Sequence, residues 1–382
     1  MHPFRKILFS ILLSLAALTA QAKEQFLYSG FAFSGNYANR DSLYPYTTKI
    51  DVAKLDQEFL QRLRKDPAIF NKLLLEQGKT GQGAQISVAF ALNSETAEYQ
   101  VIDGVGQIIL RIYATVLAFD RESKSLVAAY PFGVGTTITV SGRPNSDLIN
   151  EMIRKIYFTN DYGVNAFDQW ITRFNQVAIK PKFSRYLQVK NIEFESEAQT
   201  ALASNKVPEG AFKNQIGNWL DAAISSENNV PILPSTVGEA VGGKMAYRFS
   251  NASSFDLKLP EPDYEITFTI RAFRSRVTEE ATATVGIYRA LATVKVETNA
   301  KDFNKVYLDE RIYDTIFIRV PKGNSVSINV MPQYKKALLQ LIGGLSKQFN
   351  TVDSDWLENS AANGTKARVN FNNTVQLFNS LR

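Results

Sequence analysis

The chain contains no cysteine, and its single histidine is His2. Without thiols there are no disulfides, no cysteine nucleophiles and no thiolate-bound zinc. With so little imidazole, a Ser-His-Asp triad or a histidine-ligated metal has almost nothing to draw on. Long apolar runs are also missing: the longest, at 7–18, falls short of the about 20 residues that a spanning helix needs. Charge of one sign is not concentrated. Lys and Arg number 43 against 37 Asp and Glu, and they are interspersed, so a nucleic-acid partner is not expected. No calcium loop of the D-x-D-x-D-G kind occurs, and no metal or cofactor is expected.

What is present begins with an export signal. Arg5 and Lys6 precede the 7–18 run, which only Ser10 and Ser14 interrupt, and Ala20-Gln21-Ala22 supplies small residues just before Lys23. This pattern predicts cleavage after Ala22, with 1–22 as a signal peptide and no transmembrane segment afterwards. A lipid anchor would require a cysteine. Cleavage removes His2 together with Arg5 and Lys6, leaving 41 basic against 37 acidic residues, a net +4. The expected location is the periplasm of a Gram-negative bacterium or the cell exterior. Stability there must come from a hydrophobic core, which a composition of 45% hydrophobic and 12% aromatic residues can supply.

Two stretches repeat one order of elements. Alternating strands open them at 26–33 and 187–194. Amphipathic helices follow, one with Asp51 as N-cap and Val52, Leu55, Phe59 and Leu63 on a face, the other with Phe212, Ile216, Leu220 and Ile224. Period-two strands then run at 86–92 and 264–271, each leading to a hairpin whose rising strand contains Ala-Thr-Val (114–116 and 292–294). Closing helices come last. Ser146 or Asp147 caps the first, which buries Leu148, Met152, Ile153 and Ile156; the second follows Pro332. The fold class expected is α/β (α+β): two related domains of order β-α-β-β-β-α, each a mixed sheet with helices packed on it. The first domain is expected over 23–160 and the second over 187–350. A connecting helix is expected within 161–186 and a polar tail over 351–382. Between Ser225 and Pro262 the second copy carries extra chain rich in Gly, Pro, Ser and Asn, with one short strand at 230–233.

The strand 263–270, its charged hairpin and the closing helix, matched in the first copy by 85–92, 114–132 and 147–156, resemble a family of envelope domains. That fold is shared by the amino-terminal domain of the Tol-system propeller protein and the curli-secretion lipoprotein, with relatives in flagellar assembly and penicillin-binding-protein activator proteins. The resemblance implies scaffolding, ring building or partner activation rather than catalysis. The lipid-bearing cysteine common in that group is absent here.

Several constellations compete with that reading. Residues 238–244 match G-x-x-x-x-G-K, but Met245 stands where a phosphate loop has Ser or Thr, so a flexible loop is expected. Gly78, Gly81 and Gly83 read as a helix end. Ser34-Gly35-Asn36 resembles an esterase serine loop without its histidine base. Paired carboxylates are the chemistry that survives the missing imidazole. Glu193, Glu195 and Glu197 alternate as if on one strand face, and Asp302, Asp309, Glu310 and Asp314 cluster; the simpler reading is a solvated edge. Tyr37, Arg40, Tyr44 and Tyr46 form an aromatic loop that either packs over the first domain or contacts a partner.

The function expected is a non-enzymatic envelope assembly or accessory protein, binding other envelope proteins or itself, within a ring or a secretion or appendage machine. The alternatives are a periplasmic binder of glycan, such as peptidoglycan, or of a small ligand, and a carboxylate-dependent glycan enzyme.

Overall fold

The computed structural model describes residues 25–35, 37–75, 86–102, 105–180, 183, 185–235, 240–241, 243–251, 253–280, 282–299, 304–321 and 329–382. The expected signal with Ala20, Ala22 and Lys23, the glycines at 78–83, Asn36, Gly238, Glu239, Gly242 and Asp302 lie outside them.

The first half contains β1 (Phe26–Ser34), β2 (Leu73–Leu74), β3 (Ile86–Ile102), β4 (Val105–Asp120) and β5 (Ser125–Val140). Its helices are α1 (Val52–Lys65), α2 (Pro67–Phe70), α3 (Ser146–Phe158) and α4 (Ala166–Gln176). In the second half come β6 (Leu187–Phe194), α5 (Ser196–Ser204), α6 (Glu209–Asn228) and β7 (Ile232–Leu233). They are followed by β8 (Ala240–Val241), β9 (Lys244–Phe249), β10 (Ser254–Lys258), β11 (Tyr264–Glu279), β12 (Ala283–Thr298) and β13 (Val306–Pro321). Three helices finish the chain: α7 (Val330–Gln348), α8 (Ser354–Ser360) and α9 (Gly364–Leu381). Among the described residues no helix is long and apolar enough to cross a membrane.

The fold is mixed α/β with two helix-covered sheets, and one strand order serves both. The first sheet runs β2-β1-β3-β4-β5 and the second β7-β6-β11-β12-β13, with the innermost pairs parallel and the hairpins antiparallel. The two Ala-Thr-Val segments occupy matching registers, Phe90 opposite Val116 and Phe268 opposite Val294. Each long hairpin also slips by one residue at the same place, between Leu92 and Ser94 and between Ile270 and Ala272. Such a bulge leaves one residue unpaired and re-aims it. It is Asn93 in the first sheet and Arg271 in the second.

Alternation decides the layers. Val88, Phe90 and Leu92 face the helices, where Phe90 stacks on Phe31 (centroids 5.1 Å) and meets Phe59 edge-on (5.5 Å). Asp51 caps α1 as expected, its carboxylate accepting from the amide of Ala53 at 3.0 Å. The cap of α3 is Asn145, not Ser146 or Asp147; Leu148, in the first turn, is 45% exposed instead of buried, while Met152, Ile153 and Ile156 are buried as expected. The connecting helix α4 docks on the first core through Phe167, Trp170 and Phe174.

The extra chain of the second copy does not stay with its own sheet. β9 pairs antiparallel with the free edge of β1 (Ala32 opposite Phe249), β10 pairs with β9, and Lys258 meets Ser125 of β5. Strands β1-β3-β4-β5-β10-β9 therefore close into a ring. The reading of 187–350 as one separate unit is amended accordingly, because 240–258 completes the first sheet. Small and large side chains alternate inside: Ala32, Ala89, Ala91 and Ala129 beside Phe119, Tyr247 and Phe249. They fill the ring, as in small barrels.

Residues 351–382, expected as a polar tail, fold into α8 and α9. Phe371 and Phe378 pack on Phe349, and Ala361 bridges Ile312 of β13. Gly344 makes this docking possible, since a Cβ there would overlap the Trp356 indole. Gly344→Ala gains helix propensity but forces Trp356 out. A net loss of about 1–3 kcal/mol is expected, read as a lower urea midpoint with earlier proteolysis of 351–382.

Candidate functional site

The aromatic loop lies over the end of the first sheet. Tyr44 is fully buried, and its hydroxyl donates to the carbonyl of Ser34. Tyr46 is half-buried, and its amide donates to Glu95. The Tyr37 ring lies between two guanidinium groups, Arg40 at 5.2 Å and Arg248 at 5.0 Å, and packs on Phe33. Arg40 reaches solvent, with 44% of its side chain exposed. Of the four residues singled out from the sequence, Tyr44 and Tyr46 hold the loop down, while Tyr37 and Arg40 remain at the surface.

A buried carboxylate pins this loop. Glu95, only 2% exposed, accepts from the amides of Tyr46 (2.5 Å) and Thr47 (2.6 Å) and from the Thr47 hydroxyl (2.6 Å). Burial nevertheless dominates and raises its carboxyl to about 7, against the lowering effect of those bonds and of Lys49.

Below the loop, a cavity of about 40 Å³ opens between the two halves. The bulge aims Asn93 into it. Ser34 Oγ donates to Asn93 Oδ1 at 2.7 Å, and Asn93 Nδ2 donates to Thr115 Oγ1 at 2.9 Å. From the second half, α6 contributes Asn214, Asn218 and Asp221, and Ser235 follows β7. Asp221 is 4% exposed. One carboxylate oxygen accepts from the Ser235 amide at 3.3 Å; the other, Oδ1, has no partner among the described residues. Burial pushes this carboxyl up to about 8, only partly offset by Ser235. Sequence reasoning missed Asp221, Asn93 and Ser235. The available signal was Asp221 beside the apolar stripe of a helix that turns out to be covered on two sides.

The described residues of the acidic clusters are held mostly by neighbouring polar and cationic side chains. Glu193 is the penultimate residue of β6, Glu195 precedes α5 and Glu197 lies within it, so they do not share a strand face. Arg271 holds Glu195 at 3.4 Å, and Arg274 holds Glu197 at 2.9 Å. The bond from Arg274 is the main influence lowering the Glu197 carboxyl, the wrong direction for a general acid. Glu310 is buried and accepts from Asn370 Nδ2 at 2.6 Å. Asp314, raised mainly by burial, accepts from Gln340 at 3.1 Å. Ser34 spends its hydroxyl on Leu92 and Asn93. Lys244 begins β9. Among the described residues, no three His, Cys, Asp or Glu side chains converge as metal ligands.

No protein-family model matches the sequence, and no curated protein matches it.

Proposed function

We propose that the protein is a non-enzymatic assembly or accessory protein of the bacterial envelope, exported to the periplasm or cell exterior. It acts by contact with envelope proteins or further copies of itself, within a ring or a secretion or appendage machine.

One observation carries this reading, the outer edge of the second sheet. β13 is a 16-residue edge strand. Among the described residues, the backbone of the remaining chain meets that edge at 311–312, where Ala361 bridges Ile312 and the amide of Ala362 donates to Arg311. Beyond it Phe317 stands 68% exposed, opposite Ile287 on the sheet face that the helices leave open. Arg289 lies over Tyr313 at 4.9 Å on the same face. A long unpaired edge is a template for strand addition, and aromatic and arginine side chains are enriched at interfaces.

Light scattering across a concentration series is expected to show association that Phe317→Glu abolishes without changing the far-ultraviolet spectrum. A photo-crosslinker at position 317 is expected to trap an envelope protein or a second copy in cells. A strict monomer at every concentration, with no crosslinked product, overturns the proposal.

A further inference from the structure

We propose that the cavity between the two halves is a binding site for one small monovalent cation, an alkali ion or ammonium, with Asp221 as its counter-charge. The proposal is independent of the assembly reading. Its starting point is an incomplete carboxylate: Asp221 is 4% exposed, and its Oδ1 has no hydrogen-bond partner among the described residues. A buried acceptor left unpaired costs about 1–3 kcal/mol unless something occupies the space beside it. The cavity holds about 40 Å³, room for one or two occupants of water size.

The chemistry of the wall selects among such occupants. Beside Asp221, its polar side chains among the described residues are the hydroxyls of Ser34, Thr115, Ser235 and Tyr247 and the amides of Asn93, Asn214 and Asn218. Among the described residues no Lys, Arg or His lines it, so none of these side chains neutralises Asp221. Hydroxyl and amide oxygens suit hard cations rather than soft ones. An anion would be repelled by Asp221. A divalent ion would leave a net charge buried in a site that supplies one carboxylate, whereas calcium sites supply several. A single positive charge brings the cavity to neutrality.

A proton is the competing occupant. Burial keeps the Asp221 carboxyl protonated into the neutral range. Tyr247 is the other titratable group among the described lining residues, and burial holds its phenol neutral. Among the described residues no further ionisable side chain reaches the cavity from β1, β3, β4, β5, β7 or β9. Entry of the cation therefore releases one proton from Asp221, and the charge balances. Asp221 comes from α6 and Asn93 from β3, so the bound ion joins the two halves.

Thermal unfolding of the full protein at pH 8.5 in sodium, potassium, ammonium and choline chloride, at equal ionic strength, tests the proposal. A rise of about 5 °C is expected with at least one small cation at saturating concentration, and none with choline. Asp221→Asn is expected to remove the difference between salts. Equal melting in all four salts overturns the proposal, with water as the occupant, and so does a cation-specific rise that survives in Asp221→Asn. Should that variant not fold, rubidium-soaked crystals of the unaltered protein decide: an anomalous peak beside Asp221 supports the site, and its absence overturns it.

Discussion

Stability is expected to fall by several kcal/mol as pH rises from about 4.5 to 8, the reverse of ordinary acid denaturation. Glu95 and Asp221 are both buried and both raised, Glu95 to about 7 and Asp221 to about 8. Unfolded, they titrate near 4. Between those limits the native state binds more protons than the unfolded state, so raising the pH favours unfolding. Their contribution is fully present below about pH 4 and is lost as pH passes the folded values. At 1.36 kcal/mol per pKa unit, the loss is on the order of 3 kcal/mol for Glu95 and 5 kcal/mol for Asp221. Carboxylates such as Glu98, lowered by Lys335 and Arg111 against an opposing burial effect, act the other way, but below the ordinary carboxylate range. The optimum should therefore lie near pH 5. Urea unfolding at pH 5, 7 and 9 checks this. Glu95→Gln and Asp221→Asn, which remove the charge at nearly constant shape, are expected to flatten the profile and to raise stability at pH 9. A wild-type stability that is flat or rising between pH 5 and 8 refutes the assignment. Potassium or sodium should be replaced by choline here, so that Asp221 is read without a competing ion.

The sheets were legible because their signal is local. Period-two alternation at 86–92 and 264–271 marks strands that bury one face, and the paired Ala-Thr-Val segments expose the repeat. The closure of the ring was not legible. Met245, Tyr247 and Phe249 alternate as a strand should, and all three are buried, but nothing nearby says that their partner is β1. Pairing across so much chain is decided by which edge is free and which side chains fit the interior, and both are tertiary facts. Helix α5 was hidden because Glu193, Glu195 and Glu197 mimic strand alternation. Helix α9 was hidden by its asparagines, poor helix formers whose cost is offset by packing Phe371, Leu377 and Phe378 against the body.

The site was half legible. Tyr37 and Arg40 could be picked out as aromatic and cationic groups in a loop. Tyr44 could not be told from a contact residue until its ring was seen buried under that loop. Asp221 was invisible for a physical reason. Phe212, Ile216, Leu220 and Ile224 mark one buried face of α6, and polar neighbours of such a stripe normally meet water. Here Trp219, Asp221, Ala222 and Ser225 are buried too, because the first half covers the back of the helix.

The same two-sided burial makes Arg173 the residue whose loss should do most to separate the halves. It lies on α4, is 2% exposed and has no carboxylate partner among the described residues. Its guanidinium instead donates to the C-terminal end of α6: to the carbonyl of Ser225 at 2.9 Å, to its hydroxyl at 3.2 Å and to Asn229 Oδ1 at 2.5 Å. Burial lowers the guanidinium to about 10, so it stays charged at neutral pH. The attraction is to the negative end of the helix dipole, at a Ser225 carbonyl that also accepts from the amide of Asn229 at 2.9 Å. Arg382 approaches the same end and donates to the carbonyl of Asn228 at 2.8 Å. Arg173→Ala removes three bonds from a charged donor, though Asn229 is exposed and the Ser225 carbonyl keeps the Asn229 amide, a loss of about 2 kcal/mol. Arg173→Met restores volume without donors and should recover only the packing part. The remaining cross-links, such as Lys335 to Glu98 at 2.5 Å, lie at another part of the junction, so the halves should begin to unfold separately. Urea curves followed by far-ultraviolet circular dichroism and by tryptophan fluorescence are expected to coincide in the wild type and to diverge in the variant, since Trp170 reports on the first core and Trp219 and Trp356 on the second. Coincident curves for Arg173→Ala, shifted by less than about 0.5 kcal/mol, would show that the helix end is satisfied without the guanidinium.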